Sequence, residues 1–194
     1  LLLPAGDETD DRLVEMASEV MPTVVVNESS ERHGSATIDN EAAMRLATQH
    51  LLDLGHREIA LLELDGGTVR ANDRTLGFRR AMADAGVEVR PEWVIEGGHT
   101  VAAGEAAAEV LLAMDPRPRA VAVANVMAAM GVIGAARRHG VEVPSDLSVI
   151  GFDDLHFAEL LNPGLTVVAP PLRELGEAAV ALLTKQIDCG EIEH

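Results

Sequence analysis

The stretch Ala120–Asp154 reads AVAVANVMAAMGVIGAARRHGVEVPSDLSVIGFDD, and its pattern decides the fold. Ala120–Ala124 is a short apolar run of the kind buried on both faces of a sheet. Asn125 follows it, and from 127 to 139 the apolar residues recur at helical spacing. Gly140 stands where a helix would stop and the chain turn back. Leu147–Phe152 is a second apolar run, and it ends in two adjacent carboxylates, Asp153 and Asp154. Strand, helix and strand joined by short loops make a parallel pair covered by its own crossover helix.

The same alternation runs outward in both directions. Apolar runs occur at Leu1–Pro4, Thr23–Val26, Ile59–Leu62 and Trp93–Ile95. Helical spacing predicts helices over 11–20, 40–54, 71–86, 101–114 and 172–187. LGHREIALL (54–62) and DAGVEV (84–89) place Gly55 and Gly86 just past helix ends, as RHGVEVPSD (138–146) does for Gly140. NPGLTVVAPP (162–171) is a turn, a short extended run and two prolines that exclude helix. The expected fold is α/β, with parallel sheets flanked by helices and two lobes of similar design.

Composition narrows the function. The chain has 194 residues, 47% of them apolar, and no apolar stretch nears the ~20 residues of a membrane span. Its formal net charge is -17. An acidic surface repels phosphate backbones, so this stretch alone is not expected to grip DNA or a membrane. A single cysteine, Cys189, excludes an internal disulfide and is compatible with a reducing cytoplasm, the expected location. Lys185 is the only lysine, which reads as codon bias. The chain opens at LLLPAGDETD with neither Met nor a basic leader pattern, as if inside a strand, and residues upstream are expected.

Enzyme signatures are missing from the text. It contains no GxxxxGK[ST], no GxGxxG after a strand, no HExxH and no GxSxG. GDETDD (6–11) lacks the spacing of a calcium loop. With one Cys and scattered His, no metal site is expected, and no catalytic residue or cofactor is assigned.

Ligands of open parallel sheets bind beyond the carboxyl ends of the strands. Arg70 and Arg74 follow the Ile59 run, His99 follows the Trp93 run, Asn125 follows the Ala120 run, and Asp153 follows the Leu147 run. Four strands of one lobe would thus present Arg, His, Asn and Asp at one edge. Arg donates a rigid fork, a carboxylate accepts two hydrogens, and Asn does one of each, which suits a polar small molecule. Each residue also has a plainer reading. Asp153 or Asp154 can cap a turn, Asn125 can cap a helix, Arg74 can lie on a solvated helix face, and His99 can be a loop histidine. His50 and His56 read as helix-end residues, and Met127 and Met130 as core.

Longer words carry a family likeness. IDNEAAMRLATQHLLDLGHREIALL (38–62), RANDRTLGFRRAMADAGV (70–87), the stretch from Ala120 through NPGLTVV, and LRELGEAAVALL (172–183) resemble the effector-binding region of LacI-type bacterial transcription regulators. The most specific piece is VPSDLSVIGFDD followed by NPGLTVV. The resemblance implies a two-lobed periplasmic-binding-protein-like fold with an effector in the cleft. It implies 1–54 and 171–194 as a partial first lobe and 55–170 as the second. It also implies a homodimer that meets operator DNA through a helix-turn-helix headpiece outside this stretch, as are the opening units of the first lobe.

Residue by residue, the resemblance gives Arg74, in the R-x-x-G-[FW] position, and Asp153, first acid of GFDD, as opposed effector ligands, with Asp154 serving the turn. Asn125 matches the Asn of the family's A-N-D word, His99 falls where relatives place an aromatic floor, and Asp39 is a first-lobe candidate. Val126 and Met127 depart from the A-N-D pattern and make the wall more apolar. The chain has no Tyr, one Trp and three Phe, so stacking platforms for a sugar ring are few. The expected function is effector sensing for a transcription regulator, with a sugar or nucleoside-like ligand. A transporter's solute-binding protein is the alternative, and an enzyme on a Rossmann-like sheet a third.

Overall fold

A computed structural model describes residues 1–4, 11–30, 32–64, 68–154, 161–162 and 164–189. The chain divides into two compact units: Leu1–Asp39 with Pro171–His194, and Asn40–Pro170.

The smaller unit has a parallel three-stranded sheet in the order β1 (Leu2–Pro4), β2 (Val24–Val26), β3 (Gly34–Ala36). Helix α1 (Asp11–Ser18) links β1 to β2, and the C-terminal helix α6 (Leu172–Cys189) packs on all three strands. Gly34 faces α6: a Cβ there would lie 2.7 Å from the side-chain nitrogen Nε2 of Gln186, which that flexible side chain can yield. Strand β3 was not foreseen. Its three residues, Gly-Ser-Ala, have no β-branched member, and it pairs in parallel with β2 only eight positions further along the chain.

The larger unit holds a parallel sheet of five strands in the order β5 (Val94–Glu96), β4 (Ile59–Glu63), β6 (Ala120–Val123), β7 (Ser148–Phe152), β8 (Thr166–Val168). Helices α2 (Asn40–Asp53) and α3 (Val69–Asp84) cover one face, α4 (Val101–Leu112) and α5 (Val126–Arg138) the other. Burial on both faces explains the unbroken apolar runs: Ile59, Ala60, Leu61 and Val121 are all at 0% exposure. Strand alternation sorts them. Ala60, Leu62, Val121, Val123 and Val149 join one apolar cluster with Ala108, Leu111, Ala128 and Val132 of α4 and α5.

The division differs from the expected boundary after residue 54 in one element. Helix α2 was read with the first lobe, yet it packs against α3 and against β6, β7 and β8. Its buried stripe of Met44, Ala47, Leu51 and Leu52 belongs to the larger unit's core. The stripe announces that the helix buries a face; it carries no information about which sheet receives it.

Two helix contacts are made backbone to backbone. A Cβ on Gly104 of α4 would sit 2.6 Å from the Ala128 Cα of α5, and one on Gly131 would sit 2.6 Å from the Glu105 amide nitrogen. The Gly104→Val substitution must therefore push α4 off α5, and is expected to cost about 1–3 kcal/mol. Gly176→Ala, where nothing lies within 4 Å, is expected to stabilise by about 0.5–1 kcal/mol. Urea unfolding of both variants checks the contrast; equal midpoints would contradict it.

The helix ends follow the sequence signals. Gly86 and Gly140 hold φ of +67° and +66° where α3 and α5 end, a conformation that suits glycine. Among the described residues, no helix is long and apolar enough to cross a membrane.

Candidate functional site

The spatial order β5-β4-β6-β7-β8 reverses direction between β4 and β6. At such a switch point the crossovers leave on opposite faces, and a crevice opens beyond the carboxyl ends. Three helices begin at this edge, and each is capped from the loop that enters it. Thr68 Oγ1 accepts from Ala71 N–H at 3.2 Å, Thr100 Oγ1 from Ala103 N–H at 3.1 Å, and Asn125 Oδ1 from Met127 N–H at 2.8 Å. Their amino ends bring partial positive charge to one edge.

Arg74 is the most constrained polar group there. It is 3% exposed, so the solvated-face reading does not hold. Its Nε donates to Asn40 Oδ1 at 2.9 Å and its Nη1 donates to the Ala124 carbonyl at 2.5 Å, just past the end of β6. Its Cζ stands 3.5 Å from the centroid of the Phe152 ring. The helix face explains the direction: Ala71, Arg74, Phe78, Ala81 and Met82 are all buried on α3. Arg74 thus occupies one position of an apolar stripe and is drawn to the sheet with it.

Asp153 ends β7 with its amide bonded to the Val168 carbonyl at 3.0 Å. Its φ is +80°, a left-handed conformation that costs a non-glycine residue on the order of 1–2 kcal/mol. Burial raises its carboxyl above the ordinary value, opposed in part by the positive charges of Arg74 and Arg70. A strained backbone and a desolvated acid beside two guanidinium groups form a combination common at ligand sites.

The sign of that shift sets a pH dependence. The folded chain holds the Asp153 proton more tightly than the unfolded chain. Stability is therefore favoured at low pH and is lost as pH rises from the ordinary value of 3.8 through the raised folded value. Asp153→Asn removes this titration and tolerates positive φ. Above that window the variant is expected to be the more stable protein, with the gap closing toward pH 3.8. Chemical unfolding of both proteins across pH tests it, and a gap that widens in acid would refute it.

The other expected residues divide. Asn125 neighbours the Ala124 carbonyl held by Arg74, but its own side chain is engaged as the α5 cap, also accepting from Ala128 N–H at 3.3 Å. That role is worth about 1 kcal/mol. His99 follows the outer strand β5 at the same edge and is exposed. Asp39 is exposed and belongs to the smaller unit. Asp154 is exposed; the turn it was read as serving enters 155–160, outside the described residues. Most of GDETDD lies outside them too. Met127 and Met130 are half-buried rather than core.

Three residues were missed or undervalued. Asn40, 2% exposed, holds Arg74 and stands one position beyond Asp39 in the same IDNEAA word. Arg70 helps to offset the burial of Asp153. Phe152, read only as a strand residue, is the floor beneath Arg74. Among the described residues, no group of three or more His, Cys, Asp or Glu is arranged to hold a metal.

Comparison with known proteins agrees with this architecture. Residues 48–194 match the model of the periplasmic binding protein-like domain. Catabolite control protein A of Priestia megaterium is 34% identical over 194 residues, covering 97% of this chain and 58% of that protein. The HTH-type transcriptional repressor PurR of Vibrio cholerae is 38% identical over 176 residues, covering 90% and 52%. A LacI family transcriptional regulator from Mycobacterium smegmatis superimposes with a TM-score of 0.88 at 33% identity, covering 96% of this chain and 69% of that one. The transcriptional regulator CelR in complex with cellobiose gives 0.89 at 32%, covering 98% and 59%. The chain spans rather more than half the length of the curated relatives it matches.

Proposed function

Because the chain belongs to the LacI-type family of periplasmic-binding-protein-like effector domains, we propose that it senses a small polar effector for a DNA-binding regulator. The effector binds at the carboxyl edge of the five-stranded sheet. Arg74, whose Nε and Nη1 already donate to Asn40 and the Ala124 carbonyl, offers its outer N–H groups to hydroxyl or carboxylate oxygens, and Asp153 accepts from hydroxyl or ring N–H groups. Asn40 and Phe152 keep Arg74 in place, and His99 is an outer contact. The observation that carries the reading is the buried Arg74 within electrostatic reach of the strained, partly buried Asp153 beside the switch point.

A ligand completes what the protein leaves costly. Hydrogen bonds donated to Asp153 favour its ionised form and offset the desolvation that raises it. A sugar or nucleoside-like ligand offers such donors, and one structural relative is a complex with cellobiose. Operator binding by a headpiece beyond this stretch is then biased through unequal effector affinity for two states of a homodimer. A coupling of about 1–3 kcal/mol changes operator affinity by about 5–150-fold.

A thermal-shift screen of sugars, nucleosides and sugar phosphates tests the proposal, followed by calorimetric titration of each hit. Hits are expected to weaken in both Arg74→Ala and Asp153→Asn. A hit that keeps full affinity in both variants refutes the assignment.

A further inference from the structure

The amino edge of the same five-stranded sheet carries a cavity for which the effector reading has no use. Its volume is about 500 Å3, inside the range of about 300–1,000 Å3 typical of small-molecule sites. It is lined by His56, Arg57 and Glu58 before β4, Arg119 before β6, and Pro144 and Ser145 before β7. All of these residues belong to the larger unit.

The lining runs against the charge of the molecule. The chain has 15 Lys and Arg against 32 Asp and Glu, yet this cavity gathers two arginines and a histidine around one carboxylate. Arg57 has a plain role: its Nη1 donates to the carbonyls of Leu52 at 3.0 Å and His56 at 2.8 Å, closing the end of α2. Arg119 has no such role, because it lies on no helix. Its backbone is clamped, with N–H donating to the Glu58 carbonyl at 2.9 Å and its carbonyl accepting from Ser148 N–H at 3.0 Å. Its side chain is exposed and, among the described residues, makes no hydrogen bond or ion pair. Burial, together with the charge of Arg119, holds the His56 imidazole below its ordinary pKa.

We propose that this cavity is a second ligand site, taking a small oxyanion of the phosphate class through Arg119, Arg57, His56 and the Ser145 hydroxyl. Guanidinium groups match tetrahedral oxyanions with charge-assisted hydrogen bonds, and the hydroxyl and imidazole add donors. The base of the site is rigid, since Arg119 is fixed between β4 and β7 by its own backbone. Its place at the amino edge makes it independent of the effector residues, which stand beyond the carboxyl ends of the same strands.

Inorganic phosphate is the probe. It is titrated into the whole chain at constant ionic strength while the His56 ring signal is followed by NMR, with His56→Gln supplying the assignment. The expected result is a saturable shift of that signal and a rise in the His56 pKa, because a bound anion offsets the nearby charge. Arg119→Gln is expected to weaken phosphate by about tenfold or more, the loss of one charge-assisted contact. Arg173→Gln, which removes an exposed charge from the smaller unit, is expected to leave the affinity unchanged. An unmoved His56 signal, an unchanged affinity in Arg119→Gln, or an equal loss in Arg173→Gln would each overturn the proposal.

Discussion

Arg74→Ala is expected to destabilise the larger unit by about 2–6 kcal/mol and to weaken effector binding by about 100-fold or more. The stability figure follows from what the substitution strands. Asn40 Oδ1 and the Ala124 carbonyl lose their donors at 2.9 and 2.5 Å, and an unsatisfied buried acceptor costs about 1–3 kcal/mol. The binding figure follows from the loss of the outer N–H groups of the guanidinium, each charge-assisted bond being worth about 1.5–3 kcal/mol. Arg74→Lys separates the two effects. It keeps a positive charge beside Asp153 but replaces the fork with a point charge. Binding is expected to fall nearly as far as in the alanine variant, with a smaller loss of stability. Urea unfolding and effector titration on the same preparations provide both numbers. Wild-type affinity in either variant would remove Arg74 from the site.

Phe152→Ala is expected to cost about 3–5 kcal/mol, the range for deleting a buried aromatic ring. Phe152 is at 0% exposure on the face of β7 covered by α2 and α3. It also carries Arg74, whose Cζ stands 3.5 Å above the ring. A desolvated cation–π contact is worth about 2 kcal/mol, so Phe152→Leu provides the second measurement. Leucine restores most of the apolar volume without the negative ring face. It is expected to recover much of the unfolding free energy while effector binding stays weakened, because the guanidinium loses its floor. A leucine variant with wild-type affinity would mean that Asn40 and Ala124 position Arg74 unaided. An alanine variant that loses under about 1 kcal/mol would contradict the burial of the ring.

These effects converge on one architectural fact. The sheet edge that carries the switch point also carries the strained residue and the buried cation. Surface ion pairs elsewhere, such as Arg45–Asp84 at 2.7 Å and Arg138–Glu105 at 3.0 Å, tie α2 to α3 and α4 to α5. Exposed as they are, they contribute about 0–1 kcal/mol each. The helix pairs are held by apolar burial and by the glycine contacts instead.

By itself, the sequence determined the α/β alternation and the ends of the elements. Strands buried on both faces must be continuously apolar, and helix termini need donors, acceptors and a left-handed glycine. Those demands are local, so Ile59–Leu62, Ala120–Ala124 and Leu147–Phe152 could be read as strands and Asn125 as a cap. Arg74, His99, Asn125 and Asp153 could also be read at one edge, because each follows a strand and the parallel strands of one sheet share a carboxyl side whatever their order. Even the burial of Arg74 left a trace, in its place on the stripe of Ala71, Phe78 and Ala81. Only the tertiary structure decided that α2 packs with the larger unit, that Asn40 accepts from Arg74, and that Asp153 takes positive φ. Those outcomes rest on partners distant in the chain. An apolar stripe specifies that something will be buried, while the surface that buries it is set by packing among all the elements together.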